Sequence, residues 1–230
     1  MKELIKHLDH MCSIKEYSNY GGMQILRDAS SVFMRVLEVE SCNSSEFVVK
    51  LPLLKYFKVD PRHIFYEIKE ELHRKFTAPS VYDLGFDKIV EEMIEFSKKS
   101  HVICPLYLSM PHYPDQEFYD DCGYLCSVIF NDDDSMTFNL SQEDSDIYGA
   151  LPYNLLYSVM FACLIANITN RRLTVCNIDF MNPYIRKEDL PKIAKLLEVE
   201  PELDTCVIKI KNRIEGLREI EWDDLEVEIY

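Results

Sequence analysis

The chain has 230 residues, 47% of them hydrophobic and 28% charged, with a formal net charge of −15. A chain of this size can bury a sizeable core, and residues 1–230 read as a single domain. The acidity is spread along the sequence and the basic residues form no long cluster, short pairs such as Lys98-Lys99 and Arg171-Arg172 aside, which argues against nucleic acid or an anionic membrane as a partner.

In chain order, MKELIKHLDHMC sets Leu4, Ile5, Leu8 and Met11 at helical spacing, so an amphipathic helix opens the chain. Val32–Glu40 alternates and Glu46–Leu54 is rich in β-branched residues; both are predicted strands. Asp60 as N-cap and Pro61 at the first helical position start a helix that reaches toward Phe76. A second helix, Phe86–Lys99, places Ile89, Met93 and Phe96 on one face. The stretches HVICPLYLSM, GYLCSVIF and SMTFNLSQ are short, apolar and separated by Pro, Asp and Asn, as sheet strands are. Asn131-Asp-Asp-Asp-Ser135 between two of them is a turn signal. Pro152–Thr169 is apolar on most of its circumference, which predicts a helix buried in the middle of the domain. RLTVCNIDF is a further strand, RKEDLPKIAKLLEV a surface helix, and DTCVIKIKN with LEVEIY complete the sheet.

Eight cysteines stand in a sequence with no apolar leader behind a basic start, so they are expected as free thiols in a reducing cytoplasm. Cys122 and Cys126 have no second Cys/His pair at zinc spacing, and no metal site is expected. No apolar run is read as membrane-spanning. Six glycines leave no phosphate-cradling loop.

The order of these elements, with a buried helix led by Pro152-Tyr153-Asn154, resembles thymidylate synthase and its pyrimidine hydroxymethylase relatives. The family pattern Gln-Arg-Ser-x-Asp, with Pro-Phe-Asn following a few residues later, is similar at the same spacing to Gln142-Glu-Asp-Ser-Asp146 and Pro152-Tyr-Asn154. DCGYLC resembles the family's Pro-Cys-His-x-Leu-Cys, VDPRHIFYEI its glutamate-bearing helix, PSVY its Gly-Pro-Val-Tyr and FMNPYI its Gly-Asp-x-His-x-Tyr. The resemblance implies an α+β, thymidylate synthase-like fold: a mixed β-sheet with a long buried central helix and flanking helices, paired as a homodimer.

It also implies roles. Cys122 is the nucleophile that adds to C6 of a pyrimidine; by itself, one cysteine among eight is more often a packed thiol. Glu67 and Tyr82 relay protons, whereas on their own they are a solvated helix residue and a core aromatic. Asn154 reads the O4 and N3–H edge of a uracil-type base, Asp146 holds donor or ring, and Tyr184 holds the sugar, with Asn182 standing at the family's histidine. The implied substrate is a pyrimidine nucleotide or nucleoside. The implied cofactor is 5,10-methylenetetrahydrofolate or a related pterin one-carbon donor.

The sequence also departs from the family. Glu143 stands where a phosphate-binding arginine is expected and would repel a phosphate dianion. Lys98, Lys99 or His101 can substitute for the arginine pair that reaches across the dimer, and Arg27 for an early one. Trp222 is the only tryptophan, and LEVEIY falls where the family's folate-closing tail begins. Two functions follow: a divergent C5 methyl- or hydroxymethyltransferase, or a catalytically inactive homologue acting as a binding or regulatory protein.

Overall fold

The computed structural model describes residues 2–14, 18–20, 23–27, 32–73, 86–99, 102–108, 124–199, 201–217 and 219–230. Helix α1 (Lys2–Ser13) turns Leu4, Leu8 and Met11 inward, on the face that the spacing predicts. A hairpin follows, β1 (Ser18–Tyr20) with β2 (Met23–Arg27), in a stretch the sequence reading left unassigned. Strands β3 (Val32–Glu38) and β4 (Glu46–Pro52) match their predicted runs. Helix α2 (Pro61–His73) starts where Asp60 Oδ1 accepts the Arg62 N–H at 2.9 Å, and buries Ile64, Phe65 and Ile68. Then come α3 (Phe86–Ser97), β5 (Val102–Leu108), β6 (Tyr124–Phe130), β7 (Ser135–Asp146) and α4 (Leu151–Ile168). The chain continues through β8 (Arg172–Arg186), α5 (Leu190–Val199), β9 (Leu203–Ile210) and β10 (Leu225–Ile229).

These strands make two sheets, not the single sheet expected. The larger runs β1-β2-β8-β7-β6-β5, with β3 also hydrogen-bonded to β8. Its pairs are antiparallel except β7 with β8, which α4 joins as a parallel crossover. Pro105 is tolerated inside β5 because β5 lies at the sheet edge, where one side of the backbone needs no ladder bond. The smaller sheet, β10-β9-β4, is antiparallel throughout.

The reason for two sheets lies in α4. All of it except Tyr153, Asn154 and Tyr157 is buried, so no side of the helix can be left to water. It packs on β7 and β8, on β4 and β9, and on α2. Each sheet therefore covers one side of an all-apolar rod. By length and composition the stretch Leu151–Thr169 could cross a membrane, contrary to the sequence reading, but 89% of it is buried inside the protein.

Polar pins fix the far end of this rod. Asn167, 1% exposed, donates to the Ser44 carbonyl at 2.9 Å and accepts the Ile214 N–H at 2.8 Å. Arg171 donates to the carbonyls of Asn131 (3.0 Å) and Ser97, tying the β6–β7 turn to the end of α3. The predicted acidic turn is present: Asp133 accepts from Ser135, and Asp134 takes φ 58°, a conformation Asp adopts at modest cost.

The larger sheet has two unlike faces. Val128, Phe138 and Ile178 are buried toward α4, where Phe138 meets Phe161 at 6.1 Å. Across the other face runs a ladder: Asn177 donates to Asn139 at 2.8 Å, and Asn139 to Ser127 at 3.1 Å. Asn177 Oδ1 and, two residues on, Asp179 Oδ1 are out of contact with water and lack a hydrogen-bond partner among the described residues.

Candidate functional site

The parallel crossover brings four of the expected residues to one end of the molecule. In register, Asp144 faces Asn182 and Asp146 faces Tyr184 across the β7–β8 pair. The Ile147 N–H donates to the Tyr184 carbonyl at 3.0 Å, closing the turn against β8. Ala150 N–H donates to the Asp146 carbonyl and Asn154 N–H to the Ala150 carbonyl, both at 3.0 Å, so Asn154 lies in the first turn of α4 directly above that strand end. Tyr184 is buried, while Asn154 and Asn182 are half-buried. On the other side of β8, Arg27 pairs in register with Tyr184.

Asp146 is the most constrained group here. Its side chain is 3% exposed. Oδ1 accepts the N–H groups of Tyr148 (3.1 Å) and Gly149 (3.0 Å), and Oδ2 lies 3.0 Å from Arg186 Nε. A Cβ on Gly149 would sit 2.9 Å from Oδ2, so glycine leaves the room that this carboxylate occupies. The carboxylate thus holds the turn between β7 and α4 and fastens it to β8. The carboxylate therefore has a structural use that the resemblance did not imply. The Asp-x-x-Gly pattern of an Asx turn was visible in the sequence and could have suggested this role. Arg186 and Asp189 carried no such local signal.

The electrostatics around Asp146 are acidic. Burial, more than any other cause, holds its carboxyl above the ordinary value of 3.8; the two N–H bonds and Arg186 oppose the shift and Asp189 adds to it. Asp189 is itself buried and meets Lys192 at 2.6 Å. Tyr148, 3% exposed, has its hydroxyl 3.3 Å from that of Tyr56, and its ring packs edge-on against Phe57 at 5.1 Å. Its phenol is pushed up by burial first, then by Tyr56, Asp189 and Asp146.

The remaining expected residues do not gather at this end in the described structure. Glu67 is on the solvent side of α2, 49% exposed, with His63 Nε2 3.2 Å away. Lys98 pairs with Glu95, and Lys99 lies 5.4 Å from the Phe96 ring centroid, both just beyond α3. Cys122, Tyr82 and His101 lie outside the described residues, as does the side chain of Glu143 on β7. Cys126, the family's second cysteine, is fully buried and its thiol is pushed up to about 12 by burial; it packs and does not attack. Burial likewise raises Cys163, Cys176 and Cys206.

Among the described residues no group of three His, Cys, Asp or Glu is placed to hold a metal ion. A cleft of about 300 Å³ lies elsewhere, between Ile94, Ile168, Arg213, Ile214 and Glu215. Compared with known families and curated proteins, the chain matches no family model and no curated protein.

Proposed function

We propose that this chain has a thymidylate synthase-like fold and is a divergent C5 methyl- or hydroxymethyltransferase acting on a uracil-type pyrimidine. One juxtaposition supports the reading: β7, α4 and β8 carry Asp146, Asn154, Asn182 and Tyr184 to one end of a single parallel crossover, in the order of the resemblance. The Asn154 carboxamide has both the donor and the acceptor that the O4 and N3–H edge of uracil requires. A Cys122 thiolate bonds to C6 and moves the C5–C6 double-bond electrons to C5. That carbon would attack the one-carbon unit of a methylenetetrahydrofolate-type donor and lose its proton to a base. The carrier amine would leave to give an exocyclic methylene, and addition of water (to hydroxymethyl) or of hydride from the reduced carrier (to methyl) would expel the thiolate and restore the ring.

A second reading, an inactive homologue that binds a pyrimidine as a regulatory protein, draws support from two observations. Asp146 spends its carboxylate on the fold, and Glu67 faces solvent beside His63. Tritium release from C5-labelled dUMP, deoxyuridine and their cytosine analogues, with and without tetrahydrofolate donors, separates the two. Release that Cys122→Ser abolishes supports the enzyme; binding without release from any of them supports the regulatory protein.

A homodimer belongs to the proposal as well. The sheet face that carries Ser127, Asn139 and Asn177, away from α4, is the surface assigned to that pairing.

A further inference from the structure

We infer that the edge of β10 is a docking site for an extended, basic segment of a partner protein, which adds to the smaller sheet as a further strand. β10 is the outermost strand of that sheet, and its pairing with β9 decides which backbone groups are already in use. Tyr230 and Thr205 exchange both N–H···O bonds, at 2.8 and 3.0 Å. By the alternation of an antiparallel ladder, Glu226 and Glu228 also bond toward β9, while Val227 and Ile229 turn their N–H and C=O groups away from it. The N–H of Leu225, next in that outward series, donates to the Trp222 carbonyl. Among the described residues, nothing bonds to the outward groups of Val227 and Ile229. Their side chains pack against the core, so this edge is held in strand form before a partner arrives.

Charge selects the partner. Across the outer face of the sheet, the register sets Glu46 on β4, Lys209 on β9 and Glu226 on β10 in one row of alternating sign, with Lys209 Nζ 4.0 Å from Glu46. The next position in that row calls for a cation. The neighbouring row ends on Glu228, which is exposed and accepts the Tyr230 hydroxyl. Two carboxylates leading into β10 are committed within the chain: Glu221 meets Lys69 at 3.0 Å, and Asp224 accepts the Glu221 N–H at 2.9 Å. Glu226 and Glu228 have no ion-pair partner among the described residues. Lysine or arginine at alternate positions of an incoming strand would face both. A second copy of β10 is the occupant these charges reject, because antiparallel pairing about Val227 would set each Glu226 against a Glu228. Exposed ion pairs are individually weak, so the backbone bonds supply affinity and the glutamates supply the choice of partner.

The test is calorimetric titration and amide hydrogen exchange of the full chain with a soluble peptide of about seven residues, a usual strand length, that alternates lysine and threonine. Binding should slow exchange at the Val227 and Ile229 amides by about tenfold or more. A peptide N-methylated at its threonines keeps the charge but loses the donors that reach β10, and should bind about tenfold more weakly. A peptide with glutamate in place of lysine should not bind. Glu226→Lys with Glu228→Lys, two exposed positions, should keep the secondary structure and exchange the two preferences. No slowing at those amides, equal binding of the N-methylated peptide, or a double variant that still prefers the lysine peptide overturns the inference. Slowing that grows with protein concentration in the absence of peptide would give the edge to a second copy, and overturns it too.

Discussion

Asp146 is where the local chemistry is most exposed to test. Its raised folded value means that the native state holds this proton more tightly than the unfolded chain. The stability it contributes is therefore complete below the ordinary 3.8 and is lost as pH rises through the folded value. Urea unfolding should show wild type losing stability relative to Asp146→Asn as pH goes from about 4 to 7; a gain would mean that Arg186 outweighs burial. Gly149→Ala should cost roughly 1–3 kcal/mol, because the new methyl meets a carboxylate pinned on three sides. Most of that cost should vanish in an Asp146→Ala background, which a double-mutant cycle measures. Asp146 also marks a limit of sequence reading at this scale. Its presence and spacing were legible, but whether its oxygens faced a ligand or the chain's own N–H groups depended on Arg186, forty residues away.

At the scale of elements, α4 carries the fold. Phe161→Ala removes a ring that meets Phe138 and leaves a cavity between helix and sheet; an expected loss of about 3–5 kcal/mol is readable by thermal or urea unfolding. The helix, its buried character and most strand positions were legible because their hydrophobic periods are local. The β1–β2 hairpin was missed because two strands of three and five residues are too short to show alternation. The length of β8 was missed as well: the predicted strand ends at Phe180, yet Asn182, Pro183 and Tyr184 pair with β7 inside the sheet. The crossover then sets those side chains at a strand end beside a helix start, a rigid place for a binding group.

For the whole molecule, the polar face of the larger sheet leads to a prediction about assembly. If two copies pair through it, sedimentation should give twice the 27.1 kDa chain mass, and Asp179→Arg should yield monomers of unchanged secondary structure. A wild-type monomer at micromolar concentration would sink the homodimer. By itself the sequence determined the local elements, the all-apolar helix and the excess of negative charge, since each follows from neighbouring residues. Only the tertiary structure decided that strands β4, β9 and β10 form a second sheet, because that depends on α4 needing cover on both sides. It alone decided, too, which charges at the site cancel: Arg186 with Asp146 and Lys192 with Asp189 meet through a chain reversal and a helix start, and Coulomb attraction acts through space rather than along the sequence.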